Sequence, residues 1–391
     1  MRILVLTFYY PPDLSAGSFR AGAFVEALER RTTAVDSIDV ITTFPNRYRS
    51  FAQEAAALER QRSVTIHRIS LPPHTSGILD QSLAFLRFAR EVANHCKARS
   101  YDVVFATSSR LLTAALGAYC ARRIGASLYL DVRDVFTATI ADLLRGRGGR
   151  LVSWLFGWLE RYAIGAARDV NLVSSGFLEH FQRRYPGRRF SLIPNGVDEL
   201  FTNGVSFAKD REPKARIRVL YAGNVGEAQG LHELLPALAA RSGSEYEFIV
   251  VGDGGARRQL EDRLVERQIR NVSILPPVPR CELPALYADA DVLLLHLNAW
   301  PALEHVIPSK LFEYLATGKP ILAGIVGVAE SFLRGEAAGP NIAIFPPCDV
   351  TAALRALSNL SCVTTDRSDF VKRYSREKLM DELVDRVLLL G

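Results

Sequence analysis

Val219-Leu220-Tyr221-Ala222-Gly223-Asn224-Val225-Gly226-Glu227-Ala228-Gln229-Gly230-Leu231 runs from an apolar tetrad into a glycine-rich loop and then into a helical pattern. Strand, glycine turn and helix form the opening half of a βαβ unit, which joins parallel strands. The pattern continues downstream, with strands expected at Phe248–Val251, Val272–Leu275, Val292–Leu295, Ile321–Ala323 and Ile342–Phe345. Upstream it occurs again, at Ile3–Phe8, Ile38–Thr43, Val64–Ser70, Val103–Thr107, Ser127–Asp131, Val170–Val173 and Phe190–Ile193. Helical stretches such as Gly22–Arg31, Ile78–Lys97 and Leu111–Ile124 separate those strands. The expected fold class is therefore α/β, with two doubly wound Rossmann-like domains.

The polar stretch Gly204–Arg216 reads as a linker and sets a first domain at 1–205 and a second at 206–369. Residues 370–391 carry apolar side chains at helical spacing with no strand after them, so this helix is predicted to dock back on existing surface, on the first domain. Ligands of open parallel sheets lie beyond the carboxyl ends of the strands, which places the expected site in an inter-domain cleft.

With 391 residues, 48% hydrophobic and 23% charged, the composition excludes a disordered chain, a collagen and a disulfide scaffold. Cys96, Cys120, Cys281, Cys348 and Cys362 are scattered without metal-ligand spacing, which fits a reducing, cytoplasmic setting. No secretory signal pattern is visible, and no run approaches the roughly 20 apolar residues of a membrane-spanning helix. The net charge is +8 before residue 200 and −2 after it. The excess arginines are dispersed without a nucleic-acid-binding motif, so nucleic acid is not an expected partner.

Two strand-end loops offer amide donors to an anion: Tyr9 to Arg20 in the first half and Gly223 to Gly230 in the second. Each alone is explained equally by tight-turn geometry. Ile307-Pro308-Ser309-Lys310-Leu311-Phe312-Glu313-Tyr314-Leu315-Ala316-Thr317-Gly318-Lys319-Pro320 is more specific. Ser309 is placed to cap a helix that stops at Gly318. Lys310, one of seven lysines against forty-one arginines, opposes the helix dipole unless an anion is bound nearby. The alternative is a solvated ion pair between Lys310 and Glu313.

Taken in order, these segments resemble the family-four retaining glycosyltransferases of the GT-B fold, in the branch acting in surface-polysaccharide and lipid-linked oligosaccharide synthesis. The resemblance is carried by Pro11-Pro12, Gly17-Ser18-Phe19-Arg20, Asp131-Val132-Arg133-Asp134, Ile193-Pro194-Asn195-Gly196-Val197-Asp198, Tyr221-Ala222-Gly223-Asn224, Val251-Gly252-Asp253-Gly254 and Lys310–Pro320. It implies a nucleoside diphosphate sugar donor, UDP-sugar before GDP-sugar, with Glu313 on the ribose hydroxyls. It also implies Gly17, Gly223, Asn224 and Gly226 at the diphosphate. Lys310 and Arg20 are candidates for diphosphate charge.

The family spacing of two glutamates puts His305, with Glu304 beside it, at the first position. Glu304, His305 and Asp134 are accordingly the candidate catalytic residues, and Arg133, Ser108 and Ser109 the acceptor-side candidates. Retention implies front-face attack, in which the leaving phosphate helps accept the acceptor's proton. No metal and no other cofactor is expected. Asp289-Ala290-Asp291 looks like a cation-binding D-x-D, but a helix-to-strand junction accounts for both carboxylates.

Arg145-Gly146-Arg147-Gly148-Gly149-Arg150 precedes a segment holding Trp154 and Trp158. Such a helix suits an anionic membrane surface, or is buried within the first domain. Together with the basic first half it suggests an acceptor on a polyprenyl diphosphate or a glycan, and peripheral attachment to the inner face of the cell membrane. Two further readings are an epimerase of the same architecture, which consumes donor without acceptor, and an inactive nucleotide-sugar- or glycan-binding partner.

Overall fold

The computed structural model describes residues 1–31, 33–48, 53–71, 78–108, 111–135, 147–202, 207 and 216–391. Contacts divide the chain into two compact units. Over the described residues, Met1–Arg47, 53–195 and Glu377–Gly391 make the first, and Gly196–Arg376 with Tyr48 the second.

In chain order the first unit contains β1 (Arg2–Leu6), α1 (Ala16–Glu29), β2 (Ser37–Thr43), β3 (Leu58–Gln61), β4 (Val64–Ile69), α2 (Ile78–Lys97), β5 (Val103–Thr107), α3 (Leu111–Ile124), β6 (Ser127–Val132), α4 (Arg147–Ala166), β7 (Asp169–Leu172), α5 (Leu178–Arg184) and β8 (Ser191–Leu192). Its sheet runs β3-β4-β2-β1-β5-β6-β7-β8 and is parallel except for the β3–β4 pair. The strand order reverses between β1 and β5, where loops leave in opposite directions. Four of the five residues of β1 and all five of β5 are buried, as strands covered on both faces require.

The second unit contains β9 (Ile217–Ala222), α6 (Leu231–Arg241), β10 (Tyr246–Val251), α7 (Arg257–Glu266), β11 (Val272–Leu275), α8 (Leu283–Asp289), β12 (Val292–His296), α9 (Ser309–Thr317), β13 (Ile321–Gly324), α10 (Val328–Glu336), β14 (Ile342–Phe345), α11 (Val350–Ser358) and α12 (Ser368–Arg373). Its six parallel strands are ordered β11-β10-β9-β12-β13-β14. That is the Rossmann order, with its switch point between β9 and β12.

The division falls at Asn195/Gly196 rather than at 205/206, because Val197, Phe201 and Phe207 are already part of the second core. The C-terminal segment is split as well. Phe370 packs in the second unit, whereas Leu379, Met380, Leu383, Val384 and Val387 of α13 (Arg376–Leu388) pack on Ile3, Val5 and Phe24 of the first. Most of 204–216 lies outside the described residues.

Candidate active site

The switch point of the second unit brings together the Gly223–Gly230 turn and the helix carrying Lys310 and Glu313. β9 is followed by Gly223, whose φ of +137° is unfavourable for any other residue. Gly252, just after β10, approaches so closely that an added Cβ would lie 1.9 Å from the Gly223 carbonyl oxygen. The following turn is braced from within. Gln229 Oε1 accepts from the side-chain amide of Asn224 at 2.6 Å and from the Gly226 N–H at 3.2 Å, and the Tyr221 hydroxyl donates to the Asn224 carbonyl at 2.5 Å. Gln229 is thus what shapes the loop.

His296 closes the same turn from β12. It is buried, with Nδ1 2.7 Å from the Gln229 carbonyl and Nε2 accepting the Cys348 N–H at 3.0 Å. Burial pushes its pKa down to about 4, so the neutral ring is held with its proton on Nδ1.

Lys310 stands at the second position of α9. Ser309 is the first helical residue and not the cap, since Pro308 precedes the helix without a side-chain hydrogen bond. The Lys310 ammonium lies 3.6 Å from the centre of the Tyr221 ring, and its stem fills the space a side chain at Gly223 would need. Burial takes its pKa down to about 7, with Glu313 opposing the shift.

Glu313 is buried one turn along, but it is not the hydrogen-bonding partner of Lys310. One carboxylate oxygen accepts from Arg280 at 2.9 Å and the other from the Tyr287 hydroxyl at 3.1 Å. Arg280 in turn pairs with Asp198, which also pairs with Arg376. A carboxylate offers about four acceptor positions, so a fixed Glu313 keeps capacity for ligand hydroxyls. Arg280 and Tyr287 were not singled out in the sequence, because their pairing with Glu313 spans 33 and 26 residues.

Glu304 and His305 end an exposed turn (Pro301–His305) packed on Gly327, where a Cβ would meet the Glu304 backbone oxygen at 2.3 Å. Asp289 and Asp291 serve the fold: Arg218 pairs with the first and gives its N–H to the second at 2.9 Å. Lys319 donates to the carbonyls of Ala288 and Ala290 at 3.0 and 2.6 Å, ending α8.

In the first unit Arg20 is engaged within the fold. Arg20 is 2% exposed. Its guanidinium makes a bidentate pair with Asp131 at 2.9 Å and donates to the Ile193 and Pro194 carbonyls at 3.0 and 2.5 Å. Asn171 joins the same carboxylate at 2.8 Å. Arg20 ties α1 to β6 and to the turn after β8, and its guanidinium is already matched by the Asp131 carboxylate. Gly17 lies in the first turn of α1, whose Ser15 cap accepts the Ser18 N–H at 3.1 Å.

Ser108 is buried and accepts the Arg133 N–H at 3.0 Å, fixing the turn after β6. Asp134 lines a small cavity with Ser108, Val132 and Glu160. Burial raises its pKa to about 6 against Arg133 and Arg47. Ser109 and 145–146 lie outside the described residues. In α4, Trp154 and Trp158 are 68% and 52% exposed, so this face is not buried in the chain.

Two family descriptions match this chain: glycosyl transferase 4-like domain over 17–196, and glycosyl transferases group 1 over 204–377. A protein of Escherichia coli (strain K12) named as a colanic acid biosynthesis glycosyl transferase is 25% identical, over 81% of this chain and 82% of its own. Among solved structures, a glycosyltransferase involved in lipopolysaccharide biosynthesis superposes with a TM-score of 0.64 at 17% identity, covering 98% of this chain and 95% of the other. An Anabaena protein in complex with UDP superposes at 0.63 with 18% identity, covering 99% of each. The chain belongs to the group 1, family-four-like glycosyltransferases and has their two-domain GT-B fold.

Proposed function

We propose that this glycosyltransferase moves a sugar from a nucleoside diphosphate sugar, UDP-sugar before GDP-sugar, to a lipid-linked or polysaccharide acceptor with retention of configuration. The observation that carries the donor reading is the pairing of Lys310 with the Gly223–Gly226 turn at the Rossmann switch point. Amides of that turn and the Lys310 ammonium are suited to charge developing on the leaving diphosphate. Glu313, held by Arg280 and Tyr287, serves the ribose hydroxyls. Glu304 and His305 face the donor sugar in this reading, and Asp134 and Arg133 belong to the acceptor. The leaving phosphate takes the acceptor's proton, so neither a covalent nucleophile nor a resident metal is part of the step.

The acceptor class rests on the relatives named for colanic acid and lipopolysaccharide synthesis and on the exposed Trp154 and Trp158. No helix among the described residues is long and apolar enough to cross a membrane. An aromatic face beside Arg161 is suited instead to lying in the headgroup layer of an anionic membrane. The test is transfer of labelled sugar from a panel of donors to extracted polyprenyl diphosphate glycans. Product carrying the label supports the reading, and donor consumption that yields only an isomer or free sugar overturns it.

A further inference from the structure

We infer that the first unit carries a binding site for a late transition-metal cation such as Zn²⁺, made by Asp39, His67 and His95. Asp39 comes from β2, His67 from β4 and His95 from the last turn of α2. One ligand atom from each lies within 4.8 Å of the other two. His67 Nε2 is 3.9 Å and His95 Nε2 3.5 Å from the Asp39 carboxylate. Bonds of about 2.0 Å at tetrahedral angles place donor atoms about 3.3 Å apart, so small side-chain rotations close the triangle.

Two imidazoles and one carboxylate suit Zn²⁺, Ni²⁺ or Cu²⁺ and are a poor match for Mg²⁺ or Ca²⁺. Two further features favour a cation there. His67 Nε2 is buried without a hydrogen-bond partner, which leaves its nitrogen available as a ligand. The Tyr101 hydroxyl bonds to Asp39, the outer-shell brace that orients a ligating carboxylate. One ligand nitrogen is already engaged, since His95 Nε2 lies 2.9 Å from the Tyr101 hydroxyl and 2.5 Å from Arg99 Nη1, so a cation must displace Arg99. Arg99, itself 44% exposed, places Nη1 2.7 Å from His95 Nδ1 and Nε 3.8 Å from Asp39. An exposed arginine can swing into water and yield that place to a bound ion. The ligands belong to two neighbouring strands and one helix, so the ion would clasp the end of α2 to the sheet.

This site is independent of the donor reading, and its test uses the metal alone. Tag-free full-length protein, stripped with chelator, is titrated with Zn²⁺ by calorimetry and melted with and without it. The expected result is one equivalent bound and a raised Tm. His67→Gln and His95→Gln should each weaken binding at least about 10-fold. Arg99→Ala should tighten it by removing the competing charge. Co²⁺ in the unmodified protein should give visible absorption of a low-symmetry site, while Mg²⁺ should not bind. Absence of Zn²⁺ binding, or an equivalent retained in the double His67/His95 variant, overturns the inference. Chelator effects on turnover are separable, since a clasp changes Tm but leaves kcat of the folded enzyme unchanged.

Discussion

The Lys310 ammonium rests 3.6 Å above the centre of the Tyr221 ring, in space that exists only because residue 223 is glycine. The charge is thereby delivered to a strand-end turn from a helix 87 residues later in the chain. Its surroundings are apolar enough to bring its pKa to about 7, so the lysine lacks a strong internal counter-charge.

Binding of a diphosphate should restore that charge. The terminal phosphate ionises near pH 6, so between pH 7 and 9 the ligand's charge is nearly constant while Lys310 titrates. Affinity should fall across this interval in the wild type, with proton uptake on binding. Lys310→Met should bind roughly 10- to 100-fold more weakly, with little dependence on pH. Calorimetry in buffers of different ionisation enthalpy reads both quantities.

Arg20 should behave as a structural residue. Arg20→Met strands Asp131 in the core and is expected to cost about 3–5 kcal/mol of stability. Urea unfolding reads the loss. Diphosphate Kd of the folded fraction should match the wild type, and a large rise in Kd with unchanged stability would reinstate Arg20 as a donor ligand.

His296 sets an acid limit. Its pKa in the folded chain is depressed to about 4, so the unfolded state binds more protons between pH 6.5 and 4. Stability from this group is fully present above pH 6.5 and lost as pH falls towards 4, by an amount on the order of 3 kcal/mol. His296→Gln keeps one of the two ring contacts and should flatten the decline in Tm over this range. An unchanged pH profile would show that other groups govern acid unfolding.

Trp154 and Trp158 should matter only at a surface. The Trp154→Ala and Trp158→Ala double variant should keep its Tm and lose co-sedimentation with anionic vesicles at low salt. Equal binding by wild type and variant would remove these residues from membrane attachment.

Sequence periodicity was sufficient for the parallel α/β frame, because both sheets are built from buried runs such as Val103–Thr107 and Val292–His296. It missed β3, whose Leu-Glu-Arg-Gln is polar and largely exposed at the sheet edge and so lacks alternation. α1 begins at Ala16, before the apolar pattern starts, because Ser15 caps it. The glycine turn and Lys310 were legible from local composition. The Arg280–Glu313–Tyr287 cluster and the burial of Arg20 were not, because each joins elements whose proximity only the tertiary fold defines.

The donor site in the second unit is tested most directly by thermal shift with UDP, GDP, ADP and CMP, for the wild type and for Glu313→Gln. The account predicts that one nucleoside diphosphate raises the wild-type Tm and that most of this rise disappears in the variant. Its 2′-deoxy form should stabilise the two proteins alike, because the lost contact is the one to ribose. An undiminished shift in Glu313→Gln, or no shift with any of the four in the wild type, would contradict it.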